Sequence, residues 1–190
     1  MSGLAVAILA AGRSARFGVE DKLTAPFRGM PLGLHTAHAL VGLGFTHNWV
    51  IVRTHDHPCA SGWRSAGFEL VVNTDADAGM GASLRIAAER AEQAGADGLM
   101  ICLADMPLVA TDHFEGLVRA WNQNGGIVAS QDGALISPPA IFAREHYPTI
   151  AGLTGDRGGK MLLKDALCVP SRPGALVDVD VLETLQRLSG

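Results

Sequence analysis

A loop rich in small and cationic residues directly follows the first apolar run of the sequence. Residues 9–23 read LAAGRSARFGVEDKL, with small residues at 10–12 and positive charges at Arg13, Arg16 and Lys22. Small residues let a backbone approach a ligand and turn its N–H groups towards it, and the added cations favour an anion. The loop therefore predicts phosphate binding. It matches neither the P-loop nor the G-x-G-x-x-G dinucleotide pattern, and the alternative is an ordinary polar loop between a strand and a helix.

A carboxylate follows the fourth apolar run, in the segment LADMP over residues 103–107. Asp105 would stand at the carboxyl end of a strand that the nearby proline brings to an end. Proteins commonly hold Mg²⁺ with one or two carboxylates together with substrate phosphates, so Asp105 is predicted to be a metal ligand. The alternative is an aspartate that forms a turn or caps a helix. A phosphate-binding loop at the same edge of a sheet favours the metal.

Short apolar runs alternate with longer segments of helical periodicity. The runs are rich in β-branched residues and almost wholly apolar, which is typical of strands covered on both faces in a parallel sheet. We therefore expect a Rossmann-like, doubly wound α/β fold with a mostly parallel sheet, whose ligands bind beyond the carboxyl ends of the strands. The predicted strands are Leu4–Leu9, Trp49–Val52, Leu70–Val72, Leu99–Leu103 and Ile127–Ala129, and the predicted helices are Leu32–Leu43, Ala82–Ala94 and Asp112–Trp121.

The alternation changes after Ser130. A hairpin is predicted to turn at Asp132-Gly133 and to continue to Ile141-Phe142, followed by short helices and a final amphipathic helix over Val181–Leu188. We expect this elaboration of the C-terminal third to cap one side of the sheet. No linker, low-complexity tract or internal repeat interrupts the sequence, which predicts a single domain over residues 1–190.

Composition argues against several classes of protein. The chain of 190 residues is 48% hydrophobic and carries a formal net charge of −4, without a long basic run. We therefore expect neither nucleic acid nor an anionic membrane surface as a partner. No membrane-spanning helix is expected either, since no run approaches about 20 apolar residues. The cysteines Cys59, Cys102 and Cys168 lack C-x-x-C spacing, which argues against a disulfide framework or zinc site and fits a reducing cytoplasm.

Together with two further segments, these motifs resemble the MobA-like nucleotidyltransferases of the molybdenum cofactor. The further segments are Asn73 with GMGASLR over residues 79–85, similar to the family's segment near the nucleobase, and TGDRGGK over residues 154–160, similar to its Gly-Asp-Lys-Gly loop. The four follow the family's order over nearly the whole chain. The opening LAAG, where guanylyltransferases usually show LAGG, and Lys22-Leu23 after the loop resemble the cytidylyltransferase branch.

The resemblance implies a nucleotide-diphospho-sugar-transferase-like fold and a Mg²⁺-dependent transfer of CMP from CTP to the terminal phosphate of molybdopterin, with release of pyrophosphate. The implied partners are CTP, molybdopterin, and a xanthine-dehydrogenase-type molybdoenzyme or its maturation factor. The attacking phosphate oxygen is already ionised, so positioning and charge stabilisation suffice without a general base. The alternatives are a guanylyltransferase of the same cofactor, a related transferase acting on a sugar or polyol phosphate, and a non-enzymatic carrier or insertion protein for the molybdenum cofactor.

The resemblance also implies roles for single residues. Lys22 would hold the α-phosphate, and Arg13 and Arg16 the leaving β- and γ-phosphates. Asp105 and Asp180 would hold Mg²⁺. The backbone of the small-residue loop would line the nucleotide, and Ser83 would face the base. The full nucleotide-binding set is Ala10, Ala11, Gly12, Arg13, Lys22, Asn73, Gly81 and Ser83, and the acceptor-side set is Ser137, Pro138, Gly155 and Asp156.

Three departures from the family pattern bear on these roles. Val181-Leu182 replaces the usual Thr-Pro after Asp180, which alters the predicted helix start and leaves a capping role for that aspartate open. The segment SPP over residues 137–139 stands where the family often has Gly-His-Pro, on the pterin side. Gly18 and Lys22 are separated by one residue more than the family pattern has.

Two histidines in the segment THDHP, over residues 54–58, raise the alternative of a metal cluster. Alternate residues of a strand point to opposite sides, so His55 and His57 are better explained by a turn that follows a strand. The tryptophans Trp49, Trp63 and Trp121 lie in or beside apolar segments and are expected in the core rather than in a ligand platform.

Overall fold

The computed structural model describes residues 3–12, 21–153, 155 and 162–189. Within these ranges no helix is long and apolar enough to cross a membrane. The strands are β1 (Leu4–Leu9), β2 (Pro26–Phe27), β3 (Met30–Pro31), β4 (His47–Val52), β5 (Glu69–Val72), β6 (Gly98–Leu103), β7 (Ile127–Asp132), β8 (Leu135–Ala143) and β9 (Leu167–Pro170). The α-helices are α1 (His35–Leu40), α2 (Ala60–Ser65), α3 (Met80–Gln93), α4 (Thr111–Asn124), α5 (Tyr147–Ala151) and α6 (Leu182–Ser189).

A central sheet carries the fold. Its seven described strands follow the order β5-β4-β1-β6-β8-β7-β9, and β2 pairs with β3 in a separate small sheet. β1 pairs in parallel with β4 and with β6, whereas β8 runs antiparallel to both of its neighbours. The expected doubly wound, mostly parallel architecture is confirmed.

Apolar side chains cover both faces of the sheet, as the continuous apolar runs predicted. All six residues of β1 are buried. Val6 and Ile8 pack with residues of α1, α2 and α4 on one face, and Ala5 and Ala7 pack with residues of α3 and α5 on the other. Burial on both faces leaves only the strand ends to present polar groups, so the ends are where a ligand can be bound.

Two elements differ from their predictions. The segment predicted as one helix over Leu32–Leu43 forms a 3₁₀ turn at Leu32–Leu34 followed by α1, which ends at Leu40. Gly42 and Gly44 then adopt positive φ angles of 84° and 76°, which end the helix and turn the chain towards β4. The C-terminal hairpin extends the central sheet rather than capping it, because β8 inserts beside β6 and buries residues such as Ile141 there.

The C-terminal segment closes over the carboxyl edge of the sheet. Val179 and Leu185 are buried in a small cluster with Ala25, Phe27 and Leu32, which belong to the β2–β3 region. This packing brings the chain before α6 back to the loop after β6.

The tryptophans lie in the core, as expected. Trp49, Trp63 and Trp121 are all at least 94% buried, with exposed fractions of 3%, 0% and 6%. The indole N–H of Trp63 donates a hydrogen bond to the carbonyl of Gly33 at 2.8 Å. The indole N–H of Trp121 is buried as well, but none of the described residues accepts a hydrogen bond from it.

This contrast makes a matched pair of substitutions informative. Trp63→Phe and Trp121→Phe remove a similar volume from the core, but only the first leaves a buried carbonyl without its donor. We expect Trp63→Phe to lower the free energy of unfolding by about 1–2 kcal/mol more than Trp121→Phe does. Urea denaturation of both variants measures this difference, and equal losses would contradict the assigned hydrogen bond.

Candidate active site

Four parallel strands deliver polar groups to one edge of the sheet. Ala10–Gly12 follow β1, Arg53 follows β4, Asn73 follows β5, and Asp105 lies in the turn after β6. Backbone hydrogen bonds continue past the strand ends, since the N–H of Ala10 donates to Ile51 at 2.8 Å and the N–H of Ala104 donates to Leu9 at 3.1 Å. The loops therefore leave the sheet from fixed starting points.

Lys22 lies between two carboxylates at this edge. Its Nζ donates to Oδ2 of Asp105 at 2.6 Å and to Oδ1 of Asp180 at 2.8 Å. The exposed fraction of the side chain is 11% for Lys22, 20% for Asp105 and 45% for Asp180. The structure thus brings together the predicted phosphate-binding lysine and both predicted metal ligands, and all three side chains are partly exposed.

Local backbone contacts hold each of these residues in place. Lys22 begins a 3₁₀ turn over Lys22–Thr24, and the Asp21 side chain caps the turn by accepting the N–H of Leu23 at 3.0 Å. Asp180 is held through its neighbour, because the buried Val179 donates its N–H to the carbonyl of Asp105 at 2.9 Å. The two carboxylates therefore belong to segments that are hydrogen-bonded to each other.

Among the residues that the structure describes, Lys22 and Asp105 shift each other's pKa values. Burial by itself would lower the pKa of Lys22, but Asp105 and Asp180 outweigh burial and raise that pKa above its ordinary value. Burial raises the pKa of Asp105, and Lys22 opposes this rise only in part, while Asp178 adds to it. The charges act on both pKa values in the expected directions, because one ammonium is shared by the carboxylates of Asp105 and Asp180, and the carboxylate of Asp178 lies nearby.

Asn73 and Ser83 are both buried and bind each other. Nδ2 of Asn73 donates to the hydroxyl of Ser83 at 2.9 Å, and Oδ1 of Asn73 accepts the N–H of Asp75 at 2.9 Å. Asn73 is 1% exposed and Ser83 is 5% exposed. These bonds tie the loop after β5 to the first turn of α3. Contact of either side chain with a nucleobase stays a prediction.

Gly81 connects the predicted nucleotide side to the predicted acceptor side. Its N–H donates to the carbonyl of Gly155 at 3.0 Å. A Cβ at Gly81 would lie 2.8 Å from that carbonyl oxygen and 3.1 Å from the carbonyl oxygen of Leu153, so only glycine permits this approach. Of the other predicted residues, Arg13, Arg16 and Asp156 lie outside the residues that the structure describes.

Ser137 and Pro138 lie in β8, which pairs with β7. Ser137 is buried and faces Ser130 across the two strands, where the register shifts. The Ser130 hydroxyl donates to the carbonyl of Pro139 at 2.7 Å and lies 2.8 Å from Nε2 of His113. Burial lowers the pKa of His113 against the charge of Asp112. The predicted acceptor side thus rests on a buried polar network.

The sequence analysis did not single out Arg53, which joins two loops at the predicted nucleotide side. Its Nη1 lies 2.6 Å from Oδ1 of Asp77, and its Nη2 donates to the carbonyl of Ala11 at 3.3 Å. The guanidinium thereby links the loop after β1 to the loop after β5. The available signal was its place as the first residue after a buried strand, where a charged side chain reaches the ligand edge.

The sequence analysis also did not predict the contact of His57 with Asp21. It follows β4 in a turn, as expected, yet it is buried and its Nε2 lies 2.8 Å from Oδ2 of Asp21, next to Lys22. No group of three or more His, Cys, Asp or Glu side chains that could hold a metal ion occurs among the described residues.

Comparison with known proteins identifies a matching family and a relative in sequence. Residues 6–171 match the family model of the MobA-like NTP transferase domain. The chain is 35% identical over 193 residues to purine catabolism protein PucB of Bacillus subtilis (strain 168), covering 92% of this chain and 90% of that protein.

Solved structures share the fold. The manganese complex of Rv0371c from Mycobacterium tuberculosis H37Rv matches with a TM-score of 0.71 and 24% identity, over 99% of this chain and 98% of that one. CMP:2-keto-3-deoxy-manno-octonic acid synthetase complexed with CTP matches with a TM-score of 0.75 and 15% identity, over 99% of this chain and 97% of that one.

The close approach at Gly81 predicts the effect of adding a methyl group there. We expect Gly81→Ala to push α3 away from the carbonyls of Leu153 and Gly155 and to lower the free energy of unfolding by about 1–3 kcal/mol. Gly152→Ala is the matched control, because its Cβ would meet only ordinary contacts at 3.6 Å. Urea denaturation compares the two, and a Gly81→Ala protein as stable as the control would contradict the contact.

Proposed function

The chain belongs to the family of MobA-like NTP transferase domains, and from that premise we propose that it transfers CMP from CTP to the terminal phosphate of molybdopterin. The observation that carries the proposal is the convergence of Lys22, Asp105 and Asp180 at the carboxyl edge of the sheet. A lysine beside two carboxylates, next to a loop of small residues, suits a polyphosphate that arrives with a divalent cation.

The proposed reaction balances without a proton acceptor from the protein. An ionised oxygen of the acceptor phosphate forms a bond to the α-phosphorus of CTP. The bond from that phosphorus to the oxygen bridging to the β-phosphate breaks, and pyrophosphate leaves with the electron pair. The protein contributes alignment and positive charge, which are the main contributions in phosphoryl-type transfers. Lys22 would act at the α-phosphate, with Arg13 and Arg16 at the leaving group.

The residues present fit a divalent cation. Asp105 and Asp180 supply hard carboxylate oxygens on either side of Lys22, and such oxygens are the ligands that Mg²⁺ prefers. Asp105 and Asp180 would hold Mg²⁺, with substrate phosphates completing its ligands, and the bound ion would supply neutralisation of phosphate charge. The Rv0371c structure of the same fold is a complex with manganese, which supports a divalent ion of this kind.

The choice of base and acceptor is supported by resemblance and by the known proteins. LAAG at residues 9–12 resembles the cytidylyltransferase branch, and a structure of the same fold is a complex with CTP. PucB is named for purine catabolism, which fits a cofactor destined for a xanthine-dehydrogenase-type enzyme. A guanylyltransferase, a sugar or polyol phosphate transferase and a carrier of the finished cofactor are the alternatives.

Pyrophosphate release separates these functions. Purified protein would be given Mg²⁺ and molybdopterin with CTP or with GTP, and the pterin would be omitted in a control. We expect release that requires both CTP and the pterin. Release with GTP alone would identify a guanylyltransferase. Nucleotide binding without release would favour another phosphorylated acceptor or a carrier and would overturn the proposal.

Lys22→Ala and Asp105→Ala should each reduce turnover by at least about 100-fold while the fold is retained, because both side chains lie at the edge of the sheet. Arg119→Ala is the matched control, since this arginine lies in the middle of α4 and is 66% exposed. The pyrophosphate assay measures turnover, and circular dichroism checks the fold. Near wild-type turnover in either variant would remove that residue from the proposed site.

The ion pairs also predict a change in metal affinity without any nucleotide. Lys22 competes with a cation for Asp105 and Asp180, so Lys22→Met should bind Mn²⁺ at least about tenfold more tightly than the wild-type protein. Arg119→Met removes a positive charge elsewhere and should leave the affinity unchanged. Titration calorimetry of the nucleotide-free proteins measures both. Equal Mn²⁺ affinity in Lys22→Met and wild type would show that the two carboxylates are not the metal ligands.

A further inference from the structure

We propose that His57 is a positioning residue for Lys22 and acts through Asp21 in a closed ring of hydrogen bonds around the Lys22 turn. The inference rests on the proposed function, in which Lys22 meets the α-phosphate of the nucleotide. It gives a role to a histidine whose segment the sequence alone assigned to a simple turn.

The turn that carries Lys22 needs outside support. It is a 3₁₀ turn of three residues, Lys22–Thr24, and so short a turn has too few internal hydrogen bonds to be stable by itself. Its support comes mainly from the Asp21 side chain before it and from the buried side chain of Leu23 within it.

The hydrogen bonds begin and end on Leu23. Its N–H donates to Oδ1 of Asp21 at 3.0 Å, and Oδ2 of Asp21 lies 2.8 Å from Nε2 of His57. Nδ1 of His57 accepts the N–H of Cys59 at 3.0 Å, and Sγ of Cys59 donates to the carbonyl of Leu23 at 3.3 Å. The carbonyl of Leu23 is therefore bound directly by the turn after β4, and its N–H is linked to the same turn through the Asp21 side chain.

The ring defines which groups donate. Because Nδ1 of His57 accepts from a backbone N–H, a neutral His57 carries its proton on Nε2, facing Asp21. Burial and the charge of Asp21 raise the pKa of Cys59 to about 11, which keeps its thiol protonated as a donor to Leu23. Each link thus has a donor and an acceptor.

Buried core residues pack against the ring of hydrogen bonds. His57 is 7% exposed, and its imidazole packs against the indole of Trp63 with ring centroids 4.8 Å apart. The indole N–H of Trp63 donates to Gly33, and a Cβ at Gly33 would lie 3.0 Å from Cβ of Leu23. Trp63 therefore supports His57 directly and Leu23 through Gly33. The ring holds the backbone of Lys22, and in the proposed reaction its side chain exchanges Asp105 and Asp180 for a phosphate.

Two substitutions at His57 test its contacts to Asp21 and to Cys59 separately. The amide nitrogen of a glutamine can take the place of Nε2 and keep the contact to Asp21, whereas the oxygen of an asparagine can take the place of Nδ1 and keep only the contact to Cys59. We expect His57→Asn to raise the KM for CTP about 10-fold and to lower kcat, since a misplaced lysine weakens its contact to the α-phosphate. We expect His57→Gln to restore both values to within about threefold of wild type.

The pattern of constants separates positioning from loss of folded protein. A smaller folded fraction lowers the apparent kcat but changes neither KM, and a general distortion of the site raises the KM for molybdopterin as well. Positioning of Lys22 predicts a change in the KM for CTP with an unchanged KM for molybdopterin. Equal KM values for CTP in His57→Asn and wild type, or equal impairment in the Asn and Gln variants, would overturn the proposal.

Cys59 provides a second arm if the His57 variants fold poorly. Cys59→Ala removes the last link of the ring and should raise the KM for CTP about threefold, whereas Cys59→Ser keeps a donor and should not. No change in Cys59→Ala would overturn the ring as a unit. If the wild-type protein does not turn over CTP, both the proposed function and the His57 proposal are overturned. If the wild-type protein is active and the variants are unaffected, only the His57 proposal is overturned.

Discussion

One ammonium group shared by two carboxylates is the interaction on which the site depends. Lys22, Asp105 and Asp180 come from three distant parts of the chain, and two of the three carry the same charge. Partly buried like charges stay close together only when the backbone holds them and a cation lies between them. At this edge of the sheet, three parts of the structure hold the charged groups in place: the central sheet, the C-terminal segment and the loops.

The central sheet fixes the position of Asp105. β6 is paired on both sides, and Met100 and Cys102 are buried in the same face cluster as the helices above them. Asp105 lies two residues after β6, and the N–H of Ala104 between them is bound to Leu9, so the start of this turn is fixed. The C-terminal segment is then fastened to it by the Val179 N–H, and the cluster around Val179 and Leu185 holds that segment down.

The loops around the cluster are held by side chains rather than by regular secondary structure. Asn73 binds Ser83, Arg53 binds Asp77 and the carbonyl of Ala11, and His57 lies against Asp21. Loops carry function when a rigid scaffold fixes them. Asn73, Arg53 and His57 each lie in a loop that follows a strand of the central sheet, so the apolar core fixes where these polar side chains start.

Much of the fold was readable from local patterns. Apolar runs of three to six residues identified the strands because burial on both faces of a parallel sheet demands them, and β1 has the predicted bounds of Leu4–Leu9. The helix expected over Leu32–Leu43 came out shorter, since a 3₁₀ turn begins it and Gly42 follows its end. The hairpin after Ser130 was recognised, but its insertion beside β6 depends on pairing between strands that are far apart in sequence.

The sequence by itself determined the class of fold and the residues of the site that directly follow strands, because a strand and its next residue share one local pattern. Asp105 and the loop at residues 10–12 are of this kind. Only the tertiary structure decided that Asp180 meets Lys22 across 158 positions of chain, and that His57 and Asp21 are partners. Those contacts depend on where separate segments pack against each other, and packing between distant segments leaves no periodicity or spacing for a single sequence to reveal.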